Sequence, residues 1–251
     1  MKIDCTRPAT VGIVSMGSMG AAYGQILKDL GHEVIWASEG RTYDEYSLET
    51  HKRAEPFEDV GSLQAMGDRA DVVLCVIRDN PPSSNSYRDG YLNMGAATIA
   101  GKVCKYSSFK GHYVDANTKT QEENEQIKGV VEAGGATYVE GVIIGHPPVS
   151  VGSNRMYVHS DNLGAECVAS LFEINDIGQR KCLVKAIEGS PSLLKLTFTA
   201  WNSAVLAASI LARRTARMEG IEEEFLYEVT EGFPFNPRHE DGSRKGLFGG
   251  W

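Results

Sequence analysis

Between residues 11 and 41 the chain reads VGIVSMGSMGAAYGQILKDLGHEVIWASEGR, and no other stretch limits its fold so tightly. Residues 11–14 are a short unbroken apolar run, as expected of a strand buried in a parallel sheet. A turn holding Gly17 and Gly20 follows, then a segment that predicts a helix from Met19 to Leu30. Gly31 is a typical helix stop, and residues 33–37 form a second apolar run. Strand, glycine-rich turn, helix and strand in this order are the opening of an α/β sheet.

Gly17 and Gly20 have the spacing of the second and third glycines of G-x-G-x-x-G. The second lets a backbone approach a pyrophosphate, and the third lets helix and strand pack closely. The first glycine is replaced by Ser15, while Gly12 lies inside the strand. A helix starting here would aim its free N–H groups at a phosphate. Ser15, Met16, Gly17, Ser18 and Met19 are therefore the expected cofactor-binding residues of this turn.

The alternation continues to about residue 188. Candidate strands are 11–14, 33–37, 71–77, 112–116, 136–140, 154–159 and 182–187. Candidate helices are 19–30, 43–54, 61–67, 119–134 and 161–173. Residues 84–106 begin as a loop and turn helical near Tyr91. This pattern predicts a Rossmann-type doubly wound sheet over residues 1–188. Residues 189–251 read differently, as a small all-α domain built on one long helix over 190–217. Ser190 suits its N-cap and Pro191 its first position. Leu193, Leu194, Leu196, Phe198, Trp201, Val205, Leu206, Ile210 and Leu211 make it apolar around most of its circumference. Such a helix needs cover on all sides. Only a helix at 221–231 and the irregular tail GFPFNPRHEDGSRKGLFGGW remain, so a homodimer through 190–217 is expected. The five large apolar side chains of that tail suggest that it packs on the helical domain or on the partner.

A net charge of −8 argues against a nucleic-acid surface or an anionic membrane as partner. Residues 196–212 carry no charge, but the stretch is short for a membrane span and holds Thr197, Thr199, Asn202, Ser203 and Ser209. A buried helix of a soluble protein is the expectation. Five cysteines without metal-ligand spacing suggest reduced thiols, and MKIDCTRPAT has no secretory apolar region, which together point to the cytoplasm. The histidines show no paired-ligand spacing, so no metal is expected.

After the second strand come Ser38, Glu39, Arg41 and Thr42. An acid here binds a ribose 2′-OH and selects NAD; a basic group binds the 2′-phosphate of NADP. Ser38, Arg41 and Thr42 can form a phosphate nest, which favours NADP, whereas an inward Glu39 would favour NAD. Ile77 ends the 71–77 strand and Arg78 follows it, so both should line the same cleft, since ligands of doubly wound sheets bind at the carboxyl ends of strands. Asn117 either touches the nicotinamide or substrate, or caps the next helix as Thr118 also could.

Taken in order, VGIVSMGSMG, WASEGRT, YVDANTKT at 113–120, YVEGVIIGHPP at 138–148 and GSPSLLKLTFTAWNSA at 189–204 resemble the β-hydroxyacid dehydrogenase and 6-phosphogluconate dehydrogenase-like superfamily. The resemblance is to its branch with a shortened helical C-terminal domain and runs from about residue 9 to 231. It implies a two-domain subunit, a nicotinamide cofactor and a dimer built on the long helix. It places Lys195 where the family carries a catalytic lysine that polarises or protonates a substrate oxygen. The residues alone leave Lys195 as either a lysine snorkelling to solvent or a general acid/base. Thr199 and Asn202 share its helix face and either position the substrate or satisfy a helix contact. The loop GVIIGHPP matches the family's carboxylate-binding loop, which makes Ile144, Gly145 and His146 candidate substrate residues. Ile144 stands there for a serine, His146 for a glycine, and Thr199 for the family asparagine. These differences point away from a simple 3-hydroxy carboxylate. The resulting expectation is an NADP-preferring oxidoreductase acting on a carbonyl or alcohol carbon, with Lys195 as general acid/base. An imine reductase on the same scaffold and a non-catalytic NADP-binding protein are the alternatives.

Overall fold

A computed structural model describes residues 8–39, 45–77, 95–148, 153–173 and 182–232. Eight strands form one sheet in the order β3-β2-β1-β4-β5-β6-β7-β8. They are β1 (Thr10–Ile13), β2 (Glu33–Trp36), β3 (Glu58–Asp59), β4 (Val72–Cys75), β5 (His112–Asp115), β6 (Thr137–Gly145), β7 (Asn154–His159) and β8 (Cys182–Ala186). β1 to β6 are parallel, β7 runs antiparallel to β6, and β8 is parallel to β7. The chain runs outward from β1 to β2 and β3, then returns to β4 on the other side of β1. The carboxyl ends of β1 and β4 therefore flank a topological switch point, where ligands of such sheets bind.

The continuous apolar runs become strands because alternate side chains fill two different cores. Val11, Ile13, Val34, Trp36, Val72, Leu74 and Val114 face one side, where they meet Tyr23 and Leu27 of α1 (Ser18–Asp29), Ala54 of α2 (Glu45–Ala54), and Ala165 and Val168 of α6 (Gly164–Ser170). Ile35, Val73, Cys75 and Tyr113 face the other. There they meet Leu63 and Met66 of α3 (Leu63–Arg69), Ile99 and Val103 of α4 (Gly95–Cys104), and Ile127 and Val131 of α5 (Gln121–Ala133). This is the doubly wound sheet that the sequence predicts.

Two departures from the sequence reading bear on the site. β6 does not stop at 140: it continues to Gly145, because β7 pairs with it in antiparallel register, Ile144 opposite Arg155 and Gly145 opposite Asn154. The two-residue β3 is absent from the expected strands, since its two residues are both acidic and exposed. Cys75, Cys104 and Cys182 are buried free thiols as expected, but Cys167 is disulfide-bonded, which corrects the expectation of reduced thiols throughout.

The chain divides into two compact units, Met1–Lys195 and Leu196–Trp251. The long helix α7 (Pro191–Met218) begins in the first unit and continues through the second. Its opening turn belongs with the sheet because Glu140 of β6 holds it. The Glu140 carboxylate accepts the Ser190 hydroxyl at 2.8 Å and the Ser192 N–H at 2.9 Å on one oxygen. In the second unit α8 (Glu222–Tyr227) follows, then a π-helical turn, Glu228–Gly232. Arg213 and Arg217 of α7 both donate to Glu222 at 2.7 Å, closing the α7–α8 corner. Among the described residues of the second unit, Leu196, Phe198, Trp201, Leu206, Ile210 and Leu211 are all exposed. By length and composition α7 could also cross a membrane. The tail beyond Gly232 lies outside the described residues.

Candidate active site at the carboxyl ends of the strands

β1 delivers the chain into the turn Val14–Gly17, and α1 starts at Ser18 with Gly17 as its N-cap. No side chain caps this helix and its first turn holds no acid, so its first N–H groups are open to an anion. The two glycines do different work. A methyl group on Gly20 would lie 1.8 Å from the Ser15 carbonyl oxygen, so this glycine permits helix–turn packing. Among the described residues, a methyl group on Gly17 would meet nothing nearer than Ser15 Oγ at 3.8 Å, so its face is open there. Ser18 is exposed, whereas Met16 is fully buried in the core and only its backbone can face a ligand. The N–H groups of Ser18 and Met19 could hold an anion such as a pyrophosphate.

At the end of β2, Ser38 is half-buried and its N–H donates to Asp59 Oδ1 at 3.0 Å. Glu39 is fully engaged. Its Oε2 accepts the Leu63 N–H at 2.8 Å, and its Oε1 pairs with Lys102 of α4. Burial opposes its ionisation, but the bonds from Lys102 and Leu63 outweigh this and hold its carboxyl below the ordinary value. Arg41, Thr42 and Arg78 lie outside the described residues.

β4 and β5 end in a buried polar cluster. Asn117 Oδ1 accepts the Ile77 N–H at 2.8 Å, and its Nδ2 donates to Asp115 Oδ1 at 2.6 Å. Asn117 therefore ties β4 to β5 and caps no helix; Thr120 is the N-cap of α5, in a reciprocal capping box with Glu123. Lys119, whose side chain is only 2% exposed, donates to the carbonyl oxygens of Asp115 at 3.0 Å and Asn117 at 3.2 Å. Its ammonium also lies 3.5 Å from Asp115 Oδ1. Burial pushes the Asp115 carboxyl up, against the pull of Lys119 and Asn117. Lys119 had no signal in the sequence, where a lysine after a strand reads as a solvated side chain.

Lys195 is half-buried one turn into α7, three residues past the Ser192 N–H that Glu140 fixes. Burial pushes its pKa down, and the nearby charge of Lys119 pushes it further. Both effects ease loss of its proton. Thr199 is exposed and Asn202 half-buried, at four and seven residues past Lys195 along the same helix. Glu140 is itself steadied from α5: Asn124 Nδ2 donates to Glu140 Oε2 at 3.4 Å, and the Tyr138 hydroxyl donates to Asn124 Oδ1 at 2.7 Å.

The expected substrate loop is in fact mostly strand. Ile144 is a buried β6 residue, so the comparison with a loop serine corrects to a sheet position. Gly145 has φ +114°, and a Cβ there would lie 2.4 Å from the Ser153 carbonyl oxygen, so glycine is required for β6 to end here. His146 is exposed, and its carbonyl oxygen accepts Asn154 Nδ2 at 2.8 Å. Asn154, fully buried, also accepts the Tyr23 hydroxyl of α1. It links α1 to the end of β6, a role that its place in an alternating strand pattern does not reveal.

No protein-family model and no curated relative matches the sequence. Solved structures match its fold. A Mycobacterium tuberculosis 3-hydroxyisobutyrate dehydrogenase with L-serine superposes with a TM-score of 0.70 at 15% identity, covering 92% of this chain and 72% of that one. The protein MTH1747, described as structurally similar to 3-hydroxyacid dehydrogenases, gives 0.66 at 18% identity, covering 90% and 78%. An imine reductase from Myxococcus stipitatus in complex with NAD+ gives 0.60 at 15% identity, covering 90% and 72%. The chain thus has the fold shared by 3-hydroxyacid dehydrogenase-like proteins and imine reductases.

Proposed function

We propose that the chain is an NADP-preferring oxidoreductase acting on a carbonyl or alcohol carbon of a small molecule, with Lys195 as general acid/base. One observation carries the reading. A single compact unit holds both an uncapped helix N-terminus over an open glycine and a half-buried lysine whose pKa is driven down. The N–H groups opening α1 would hold the pyrophosphate, and Glu39, engaged by Leu63 and Lys102, is not free to favour NAD. A bound nicotinamide dinucleotide supplies or accepts the hydride. Lys195 handles the proton: as ammonium it donates to the oxygen of a carbonyl being reduced, and as amine it accepts from an alcohol being oxidised. Thr199 and Asn202 offer a hydroxyl and an amide to orient the substrate.

The fold likeness to imine reductases supports C=N reduction as a second reading. Comparing Lys195→Met with wild type on matched ketone and imine panels separates the two. Loss of about 10²–10⁴-fold in turnover, with NADPH affinity kept, fits the proposed role. Ketone turnover unaffected by the substitution would refute the role of Lys195. Turnover of imines alone would favour the second reading, and tight NADPH binding with no turnover would favour a non-catalytic binder.

A second copy of this chain is the proposed cover for α7, whose large apolar side chains lie exposed along its length. A permanent interface of this kind buries more than about 2,000 Å².

A further inference from the structure

Glu39 stands just past β2, where a dinucleotide-binding sheet carries the acid that grips the adenosine ribose 2′-OH. Here both carboxylate oxygens are already occupied. The Leu63 N–H, which opens α3, donates to one at 2.8 Å, and Lys102 of α4 pairs with the other. Both helices cover the Ile35 and Val73 face of the sheet, whereas α1 covers the opposite face. The carboxylate is therefore drawn away from the side on which the glycine turn enters its helix. The backbone beside it is tied to β3: the N–H groups of Ser38 and Gly61 both donate to Asp59 Oδ1, at 3.0 and 2.8 Å. The pair is substantially covered, with side-chain exposures of 35% for Lys102 and 28% for Glu39. Turning Glu39 outward would leave a half-covered ammonium and a helix N–H without their acceptor.

We propose that Lys102 sets the cofactor selectivity of this site, by holding Glu39 against α3 and α4 and so withholding its carboxylate from the adenosine ribose. The proposal rests on the nicotinamide-dinucleotide reading above and adds a residue to it. A free carboxylate at this place accepts from the 2′-OH of NADH and repels the 2′-phosphate of NADPH. A carboxylate locked on Lys102 does neither, so the lock disfavours NADH and tolerates NADPH.

The test is the pair of dissociation constants for NADPH and NADH, measured by titration on wild type, Lys102→Met, Lys102→Arg, Glu39→Gln and the Lys102→Met/Glu39→Gln double variant. Lys102→Met should tighten NADH and weaken NADPH, lowering the selectivity ratio by about tenfold or more, the worth of one charge-assisted hydrogen bond. The double variant should return to the wild-type ratio, because the released carboxylate is gone. Lys102→Arg should keep the ratio, and Glu39→Gln alone should leave NADH binding unchanged. Three results each overturn the inference: an unchanged ratio in Lys102→Met, a loss of NADPH affinity there without any gain for NADH, or weaker NADH binding in Glu39→Gln alone. The first means no lock, the second a direct Lys102–phosphate contact, the third a Glu39 that already serves the ribose. If Lys102→Met fails to fold, the Glu39→Gln measurement still decides. Failure of wild type to bind either dinucleotide would overturn the cofactor reading itself, and the inference with it.

Discussion

Gly17 and Gly20 look alike in a motif, yet substituting each by alanine should break a different property. At Gly20 the added methyl would lie 1.8 Å from the Ser15 carbonyl oxygen and 3.2 Å from Ile13 Cγ2. The first obstacle is backbone, so no rotamer change relieves it and α1 must shift off the turn. Overpacking of this kind costs about 3 kcal/mol or more. For a domain of this size each kcal/mol lowers Tm by about 2–4 °C, so a loss of roughly 6–12 °C is expected. At Gly17 the backbone has φ −64° and ψ 179°, which alanine adopts freely, and among the described residues the nearest atom to the new methyl is 3.8 Å away. Restricting the unfolded chain should leave stability unchanged or raise it by about 0.4–1 kcal/mol. The methyl would nonetheless stand between the phosphate and the first N–H groups of α1. NADPH affinity should then fall by tenfold or more, corresponding to about 1.4 kcal/mol per decade. Thermal unfolding followed by circular dichroism, with NADPH titration of each folded variant, reads both quantities. If Gly17→Ala bound NADPH like wild type, the cradle would be misplaced. If Gly20→Ala melted like wild type, the packing argument would fail.

Three further expectations concern the helices. The protein should be a dimer, and Trp201→Glu should release monomers in sedimentation; a wild-type monomer at micromolar concentration, or protein recovered only with membranes, would contradict the proposed cover of α7. Glu140→Ala should cost about 2–4 kcal/mol in urea unfolding, because it strands the buried Ser192 N–H and Asn124 amide, and a change under 0.5 kcal/mol would show that the clasp holds nothing. Arg217 and Arg213 hold the Glu222 carboxyl at about 2. Its folded value lies below its unfolded value, so its support of the α7–α8 corner is complete above the ordinary carboxylate range and is lost as pH falls toward 2. An NMR titration of Glu222 should show this low midpoint, and Arg217→Ala should raise it; an ordinary midpoint in wild type would mean that the ion pair does not form in solution.

The parallel core was readable from residues 11–77 and 112–140 because strands buried on both faces write themselves as unbroken apolar runs between glycines. Antiparallel pairing was harder. The extension of β6 to Gly145 depends on Asn154 and its neighbours in β7, a partner that local pattern does not contain. That extension moved Ile144 from an expected loop into the sheet. The glycine turn and the start of α7 were found from spacing and capping residues, both local signals. Lys119, Asn154 and Glu140 were missed as site elements because what distinguishes them is burial and distant partners: Lys119 on Asp115, Asn154 between Tyr23 and His146, Glu140 on Ser190 and Ser192. Of the two readings of Asn117, the structure removes only the helix cap. A polar residue after a strand suggests a helix cap, but its amide spans two strand ends while Thr120 does the capping.

The most direct measurement is a crystal structure of the protein with NADPH. Pyrophosphate oxygens should accept from the N–H groups of Ser18 and Met19 at about 2.7–3.2 Å. Glu39 should remain on Lys102, and the Lys195 ammonium should face the open side of the nicotinamide ring, where a substrate oxygen would sit. A dinucleotide bound elsewhere, or a Lys195 turned away from the nicotinamide, would refute the proposed site.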